Sequence, residues 1–299
     1  MESETRRLAP DDLAACAEVF YVAMDDLQAK RGLAPLPRNP PALDLLFRHI
    51  VTVDSDRAWV AEEDGSVVGF GMGTRREDLD FLSFLFIRPD AQGRGIGRQL
   101  LRLCLPLSPY RGTCIEAIQP VSGGLYASYG LVPRVPIYTL IGQPKVELPD
   151  LAPGIEIQAM AQMRATEVES LFEALAALDA EVLGFRRPVD HRAWQSWERQ
   201  GFLLRAAGEP VAYGYAQASG RLGPVVVRDS ALLLPFVGRL MREVTVTDAW
   251  QLLAPGPADE TFVALLNAGM RFDGPPAIFC ATRPGPDYTR YLPASYALP

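Results

Sequence analysis

Histidine is nearly absent from this 299-residue chain, which has only His49 and His191. Two isolated histidines cannot build a histidine-rich metal centre, and they leave little room for a Cys-His or Ser-His nucleophile system. Each reads as a helix-surface or packing residue. Cysteine is almost as scarce: Cys16, Cys104, Cys114 and Cys280 lie far apart without a C-x-x-C pair, so buried reduced thiols are expected and no metal is called. No run reaches the roughly 18 apolar residues of a membrane helix. Residues 1–12 carry Glu2, Glu4, Asp11 and Asp12 and lack the apolar stretch of a secretory signal, which makes a soluble, cytoplasmic protein without a membrane partner the expectation. Basic charge is in deficit, with 29 Lys and Arg against 36 Asp and Glu and a net charge of −7. A nucleic-acid surface would normally show a basic stripe, so no nucleic-acid partner is expected. An acidic chain suits a cationic partner, although net charge is a weak guide to one site.

Hydrophobic residues are plentiful at 48%, enough for two cores in a chain longer than the usual single domain. The most informative stretch runs from Phe81 to Leu101. Phe81–Ile87 is almost wholly apolar and short enough for a buried strand, and Pro89 cannot donate to a sheet ladder, so the strand should stop near it. Ile96, Leu100 and Cys104 then recur at the spacing of one helix face. Between strand and helix stand Gly93, Gly95 and Gly97, where missing side chains let a ligand approach free N–H groups and the positive end of a helix dipole. A diphosphate fits such a turn. A nucleotide P-loop would need Gly-Lys-Ser/Thr after the glycines, and Arg98 and Gln99 stand there instead. A dinucleotide fingerprint would read G-x-G-x-x-G, whereas these glycines alternate.

Gln92-x-x-Gly95-x-Gly97 behind a strand ending in Phe-Ile-Arg-Pro resembles the acyl-CoA signature of the GNAT superfamily of N-acetyltransferases. Ile115–Arg134 resembles that family's other hallmark, a strand, a turn and a short helix ending at a glycine. The resemblance implies that Gln92, Gly93, Arg94, Gly95, Ile96, Gly97 and Arg98 hold the diphosphate of acetyl-CoA, the co-substrate. Backbone groups of Leu85, Phe86 and Ile87 would hold the pantetheine and polarise the thioester carbonyl, with Gln119 beside the same arm. Tyr126, four residues before Gly130, has the spacing of the family's tyrosine at the thioester sulfur. The alternative for Tyr126 is an ordinary core aromatic. Two departures stand out: Gln119 where the family often has Asn, and Leu131 where it often has an aromatic residue.

Residues 1–141 read as a complete unit of that fold, and a Pro- and Gly-rich linker at 142–154 follows. Residues 155–299 then repeat the order. Gly65–Gly71 has a counterpart in Gly208–Gly214, Val225–Asp229 mirrors the strand ending at Arg88–Asp90, and Leu265–Gly269 mirrors Tyr126–Gly130. The expected fold class is α/β (α+β), two GNAT-like domains, each a mixed and mostly antiparallel central sheet flanked by helices. In the second half Leu232–Val237 replaces the glycine loop and Leu265 replaces Tyr126, so one active site is expected, in the first half, beside a degenerate copy. A second site built from other contacts is the weaker alternative.

The implied reaction is direct attack of a neutral primary amine on the thioester carbonyl. Freeing an alkylamine with pKa near 10.4 at neutral pH costs about 4 kcal/mol, so some group must collect the proton. Glu116 is the candidate base, with Asp80 and Glu62 behind it, and for each a plain solvated carboxylate is the alternative. Tyr126 would hydrogen-bond the departing thiolate. A small-molecule amine is the leading acceptor; a protein or peptide acetyltransferase and a non-catalytic acyl-CoA sensor are the alternatives, for a monomer or homodimer. Residues 30–41 form a Pro-rich connection that is either a substrate gate or a simple connector, and Tyr288–Pro293 is a candidate docking tail with no assigned role.

Overall fold

The computed structural model describes residues 3–163 and 168–299. Contacts gather the chain into two compact units, Met1–Thr113 and Cys114–Pro299.

The first unit contains β1 (Glu4–Arg7), α1 (Leu13–Lys30), α2 (Pro40–Val53), β2 (Ala58–Glu63), β3 (Ser66–Arg76), β4 (Leu79–Ile87), α3 (Ile96–Cys104) and the first residues of β5 (Tyr110–Glu116). Its sheet runs β1-β2-β3-β4-β5, antiparallel as far as β4 and parallel between β4 and β5. Alternation along β4 sends side chains to opposite faces. Phe84 and Phe86 join Phe70 of β3, Phe20 of α1 and Phe47 of α2 in an aromatic cluster, with centroids 4.8 Å apart for Phe20 and Phe86 and 4.9 Å for Phe47 and Phe84. Leu85 and Ile87 face the other way, onto Ile96 and Leu100 of α3.

Helix α3 lies close on β3 because that strand offers glycines to it. A Cβ at Gly71 would stand 2.6 Å from Cys104 Sγ, and one at Gly73 would stand 2.4 Å from the Cys104 carbonyl oxygen. Helix α2 starts on a clear signal: Asn39 Oδ1 accepts from Ala42 N–H at 3.3 Å, and Pro40 and Pro41 supply the pre-set φ of a first turn. The connection before it is pinned to α1, with Arg38 paired to Glu18 at 3.2 Å and Asp25 at 3.4 Å and Asn39 N–H donating to Tyr21 Oη at 2.9 Å.

The second unit comprises the end of β5, α4 (Pro120–Ala127), β6 (Val132–Gly142), β7 (Ile155–Ala159), α5 (Val168–Val182), α6 (Pro188–Ser196), β8 (Gln200–Ala206), β9 (Glu209–Ala216), β10 (Arg221–Val227), α7 (Leu233–Glu243), β11 (Trp250–Pro255), α8 (Asp259–Asn267), β12 (Arg271–Phe272), β13 (Ala277–Ala281) and β14 (Tyr291–Leu292). The sequence places the start of the α5 helix at Met163, and residues 164–167 of that stretch lie outside the described residues. Strand order is β13-β6-β11-β10-β9-β8-β7, with β12 also on β6 and β14 on β10; β10 and β11 are parallel and the remaining pairs antiparallel. The apolar core on one face joins Leu222, Val225 and Leu252 to Phe236, Val237 and Leu240 of α7 and Leu265 of α8. Both units are thus mixed, mostly antiparallel sheets flanked by helices, as the sequence predicts.

The boundary between the units does not fall at the linker read from composition. Strand β6 hydrogen-bonds to β11, β12 and β13, so its contacts belong to the second unit although it precedes residues 142–154 in the chain. The segment 143–154 lacks regular structure yet is anchored: Leu148 is buried, and a Cβ at Gly238 of α7 would stand 2.8 Å from its Cβ.

On the opposite face of this sheet α5 and α6 enclose a polar network absent from any local sequence pattern. Asp179, Arg187 and His191 have no solvent exposure. Arg187 Nε donates to both Asp179 oxygens at 3.3 Å, and its other nitrogens donate to Tyr213 Oη at 2.8 Å, Tyr291 Oη at 2.9 Å and the Pro299 carbonyl. His191 bridges Asp179 at 2.8 Å and Tyr215 at 3.0 Å. Each member satisfies another, as a buried charge requires. His191 is therefore a packing residue.

Candidate functional site

The strand-loop-helix of the first unit forms an open glycine turn between β4 and α3. Strand β4 ends at Ile87, and Gly93 and Gly95 take φ of 80° and 88°, a region that side-chain-bearing residues avoid. A Cβ at either position would meet nothing within 4 Å, so the turn is open on its outer side. The first helical bonds of α3 run from Arg98 and Gln99 N–H to the Gly95 carbonyl, both at 3.1 Å. Among the described residues the N–H groups of Gly93, Arg94 and Gly95 have no protein acceptor, and those of Ile96 and Gly97 precede the helical ladder. Free donors at the positive end of a helix dipole suit an anion. The set ends at Gly97. Arg98 N–H, predicted to join it, is already taken by Gly95.

Side chains around the loop divide into those that brace it and one that stays open. Gln92 Nε2 donates to the Ile87 carbonyl at 3.0 Å and ties the loop to the end of β4. Arg94 donates to the two Glu63 carboxylate oxygens at 3.2 and 3.1 Å and to the Asp90 carbonyl at 2.5 Å, so its guanidinium is committed and only its backbone remains for a ligand. Arg88 is held by Asp90, whose carboxyl it keeps below the usual range through direct hydrogen bonds. Arg98 is exposed and has no ion-pair partner among the described residues. It lines a shallow groove of about 280 Å³ with Thr5, Gly95, Gln99, Arg102 and Leu103.

Strand β4 also carries the irregularity that frees its end. Against β3 the register slips between Met72↔Phe84 and Gly73↔Leu82, which leaves Ser83 as an extra, bulged residue. The parallel ladder to β5 runs from Leu79↔Tyr110 to Leu82↔Thr113 and stops before the bulge. Leu85, Phe86 and Ile87 are therefore paired to β3 on one edge only.

Glu116, Gln119 and Tyr126 belong to the second unit. Helix α4 ends in a glycine cap: Gly130 has φ of 80°, its N–H donates to the Ala127 carbonyl at 2.9 Å, and Leu131 N–H donates to the Tyr126 carbonyl at 3.0 Å. Leu131, the departure from an aromatic, is buried. Tyr126 is buried. Burial, and secondarily the nearby Cys280, push its pKa above the ordinary tyrosine range, so the phenol stays protonated. Gln119 is half-buried at the entrance to α4 and caps it with no side-chain bond. Glu116 is half-buried at the end of β5, and its carbonyl accepts from Gln119 N–H at 3.1 Å. The two reserve bases are engaged in ion pairs, Asp80 with Arg57 at 3.0 Å and Glu62 with Arg6 at 2.5 Å.

Sequence reasoning missed the tail. In the second unit β10 pairs with β11 only at Arg221↔Gln251 and Leu222↔Leu252, and its register against β9 slips between Leu222 and Val225. Beyond that slip β14 takes the free edge, pairing Leu292 with Val225 and Tyr291 with Val226, while Val227 N–H donates to the Arg290 carbonyl at 3.0 Å. Only the apolar Tyr291-Leu pair could have signalled a strand. Among the described residues there is no group of three metal-ligating side chains, and no helix is long and apolar enough to cross a membrane.

Comparison with known proteins agrees with this geometry. Residues 54–130 match the family model described as the acetyltransferase (GNAT) domain. Among solved structures, a putative acetyltransferase from Pyrococcus horikoshii is similar over 99% of this chain and 95% of its own, with a TM-score of 0.75 at 14% identity. A GCN5-related N-acetyltransferase from Sphaerobacter thermophilus follows with a TM-score of 0.61 at 18% identity over 96% and 98%. A tandem GNAT protein from the clavulanic acid biosynthesis pathway has a TM-score of 0.56 at 15% identity over 95% and 100%. No curated protein matches the chain by sequence. The chain therefore carries an acetyltransferase (GNAT) domain signature at residues 54–130 and has the fold of tandem GNAT proteins.

Proposed function

We propose that the protein is an acetyl-CoA-dependent N-acetyltransferase acting on a primary amine of a small molecule. The observation that carries this reading is the open turn at Gly93 and Gly95, with unpartnered backbone donors at the start of α3. The match over residues 54–130 supports acetyl transfer as the chemistry.

The N–H groups of Gly93 to Gly97 bind the diphosphate, and the Arg98 side chain adds a positive charge beside them. The free edge of Leu85, Phe86 and Ile87 aligns the pantetheine and polarises the thioester carbonyl, a preorganised contribution that side-chain identity affects little. The neutral amine attacks that carbonyl; the C–N bond forms, the C–S bond breaks, and coenzyme A leaves as its thiolate, which takes up a proton from water after release. Glu116 collects the amine proton. Tyr126 donates a hydrogen bond to the departing sulfur, and its raised pKa makes a tightening hydrogen bond a better description than full proton transfer. The second unit contributes no second coenzyme site.

The test is a screen for thiol release from acetyl-CoA with polyamines, amino acids, aminoglycosides and peptides. Turnover confined to small amines is the expected result. Turnover with peptides alone would favour a protein acetyltransferase, and absence of turnover despite coenzyme binding would favour a sensor.

A further inference from the structure

The deeply placed arginines of this protein come with carboxylates. Arg57 pairs with Asp80 at 3.0 Å, Arg76 with Asp54 at 2.9 Å and Arg187 with Asp179 at 3.3 Å. Two arginines of the second unit depart from that pattern. Arg221 opens β10, and its Nη1 donates to Gln251 Oε1 at 3.0 Å. Arg199 stands one residue before β8, and its Nη1 donates at 2.6 Å to the carbonyl of Gly223, two residues beyond Arg221 on β10. Both are half-buried, and among the described residues neither has a carboxylate within ion-pair distance.

Among the described residues no carboxylate neutralises them. Burial, and then the charge of Arg221, disfavour the charged form of Arg199, and burial acts the same way on Arg221. Arginine nevertheless stays protonated in proteins, so two half-buried positive charges serve the start of β10, one carried by Arg221 and one bonded to the Gly223 carbonyl two residues on. The groups that oppose this are the phenols Tyr215 and Tyr296. Burial pushes Tyr296 up to about 12 and Tyr215 higher still, so both are neutral and neither serves as a counter-ion. Tyr296 Oη is instead 2.8 Å from Thr139 Oγ1. Gln251 turns its oxygen to Arg221 and its amide nitrogen to the exposed Asp273 at 3.4 Å, which leaves that carboxylate one group removed.

We propose that Arg199 and Arg221 form a binding site for one small oxyanion, a carboxylate or a phosphate group. Two guanidinium groups, each with donors to spare after one neutral hydrogen bond, match the oxygens of such a group, and its charge relieves their repulsion. The site lies wholly in the second unit and does not depend on the coenzyme reading.

The experiment is calorimetric titration and thermal unfolding of the full chain with inorganic phosphate and, separately, with acetate and glutamate, at constant ionic strength with chloride as control. It is run in wild type and in Gly95→Val, so that phosphate held by the coenzyme loop is subtracted. One ion per chain is expected in the Gly95→Val background, with a rise in unfolding temperature. Arg221→Gln and Arg199→Gln should each weaken it at least about tenfold, and Arg221→Lys, which keeps the charge, should weaken it less. A preference for phosphate or for carboxylates names the source of the group. An unfolding temperature that does not move, or moves equally in the glutamine variants, would overturn the proposal even if acetyl-CoA binds and turns over as expected.

Discussion

Strands β4 and β10 each take one extra residue before their free end, at Ser83 in the first and after Leu222 in the second, and each stops pairing with its parallel neighbour at that point. The helices that follow are seated the same way: Gly71 of β3 lies under Leu100 and Cys104 of α3, and Gly214 of β9 lies under Phe236 and Leu240 of α7. The caps of α4 and α8 match as well. Leu131 N–H reaches the Tyr126 carbonyl at 3.0 Å, and Met270 N–H reaches the Leu265 carbonyl at 3.1 Å, each past a glycine of positive φ. The two halves part where a coenzyme would be held. Glycines with unpartnered donors open α3, whereas Leu233, Phe236 and Val237 of α7 are core residues and the edge of β10 is filled by β14. A backbone scaffold can thus be retained while its ligand-facing details are lost, because bulge, glycine seat and cap serve packing in both halves.

Substitutions that trade features between the halves sharpen this contrast. The largest effect belongs to Gly95→Val, which puts a branched side chain at a φ of 88° and into the diphosphate path. It should abolish coenzyme binding and turnover, whereas Val237→Ala in the second half should leave coenzyme affinity unchanged, both read by calorimetry. Next, Tyr126→Phe should lower kcat about a hundredfold with little change in coenzyme affinity. Its counterpart Leu265→Ala should leave kcat alone and cost about 2–5 kcal/mol of stability by denaturant unfolding, since Leu265 is fully buried.

Smaller changes follow at the shared scaffold. Gly71→Ala and Gly214→Ala place a Cβ 2.6 Å from Cys104 Sγ and 2.7 Å from Leu240 Cδ1, and each should destabilise by about 1–3 kcal/mol; a loss in one half alone would break the equivalence. The smallest expected effect is on the pH profile. Burial favours the neutral phenol of Tyr126, so its acid form persists as pH rises through the ordinary tyrosine value near 10. The profile of kcat should show no alkaline loss of the Tyr126 proton at that pH.

Local pattern made much of this legible. Apolar alternation and helical spacing located β4 and α3, and the glycines of the loop stood out because missing side chains leave the chain approachable before a helix. Long-range pairing was hidden. Strand β6 reads like the last strand of the first repeat, yet its hydrogen-bond partners include β13, whose Ala281 pairs with Val132, and no local signal reveals a partner so distant in the chain. His191 reads as a surface or packing residue, but the buried network it shares with Arg187 was hidden for a related reason: Asp179, Tyr213 and Tyr291 are brought to them only by folding. Arg94 shows the same limit at the site, where sequence supplies a charge beside a glycine loop and the fold assigns it to Glu63.

Hydrogen exchange of the full chain with and without acetyl-CoA tests the central claim most directly. Protection should appear at the backbone amides of residues 93–97, with none at 232–237 and one coenzyme bound per chain. Protection at 232–237, or an unchanged exchange rate at 93–97 under saturating coenzyme, would contradict it.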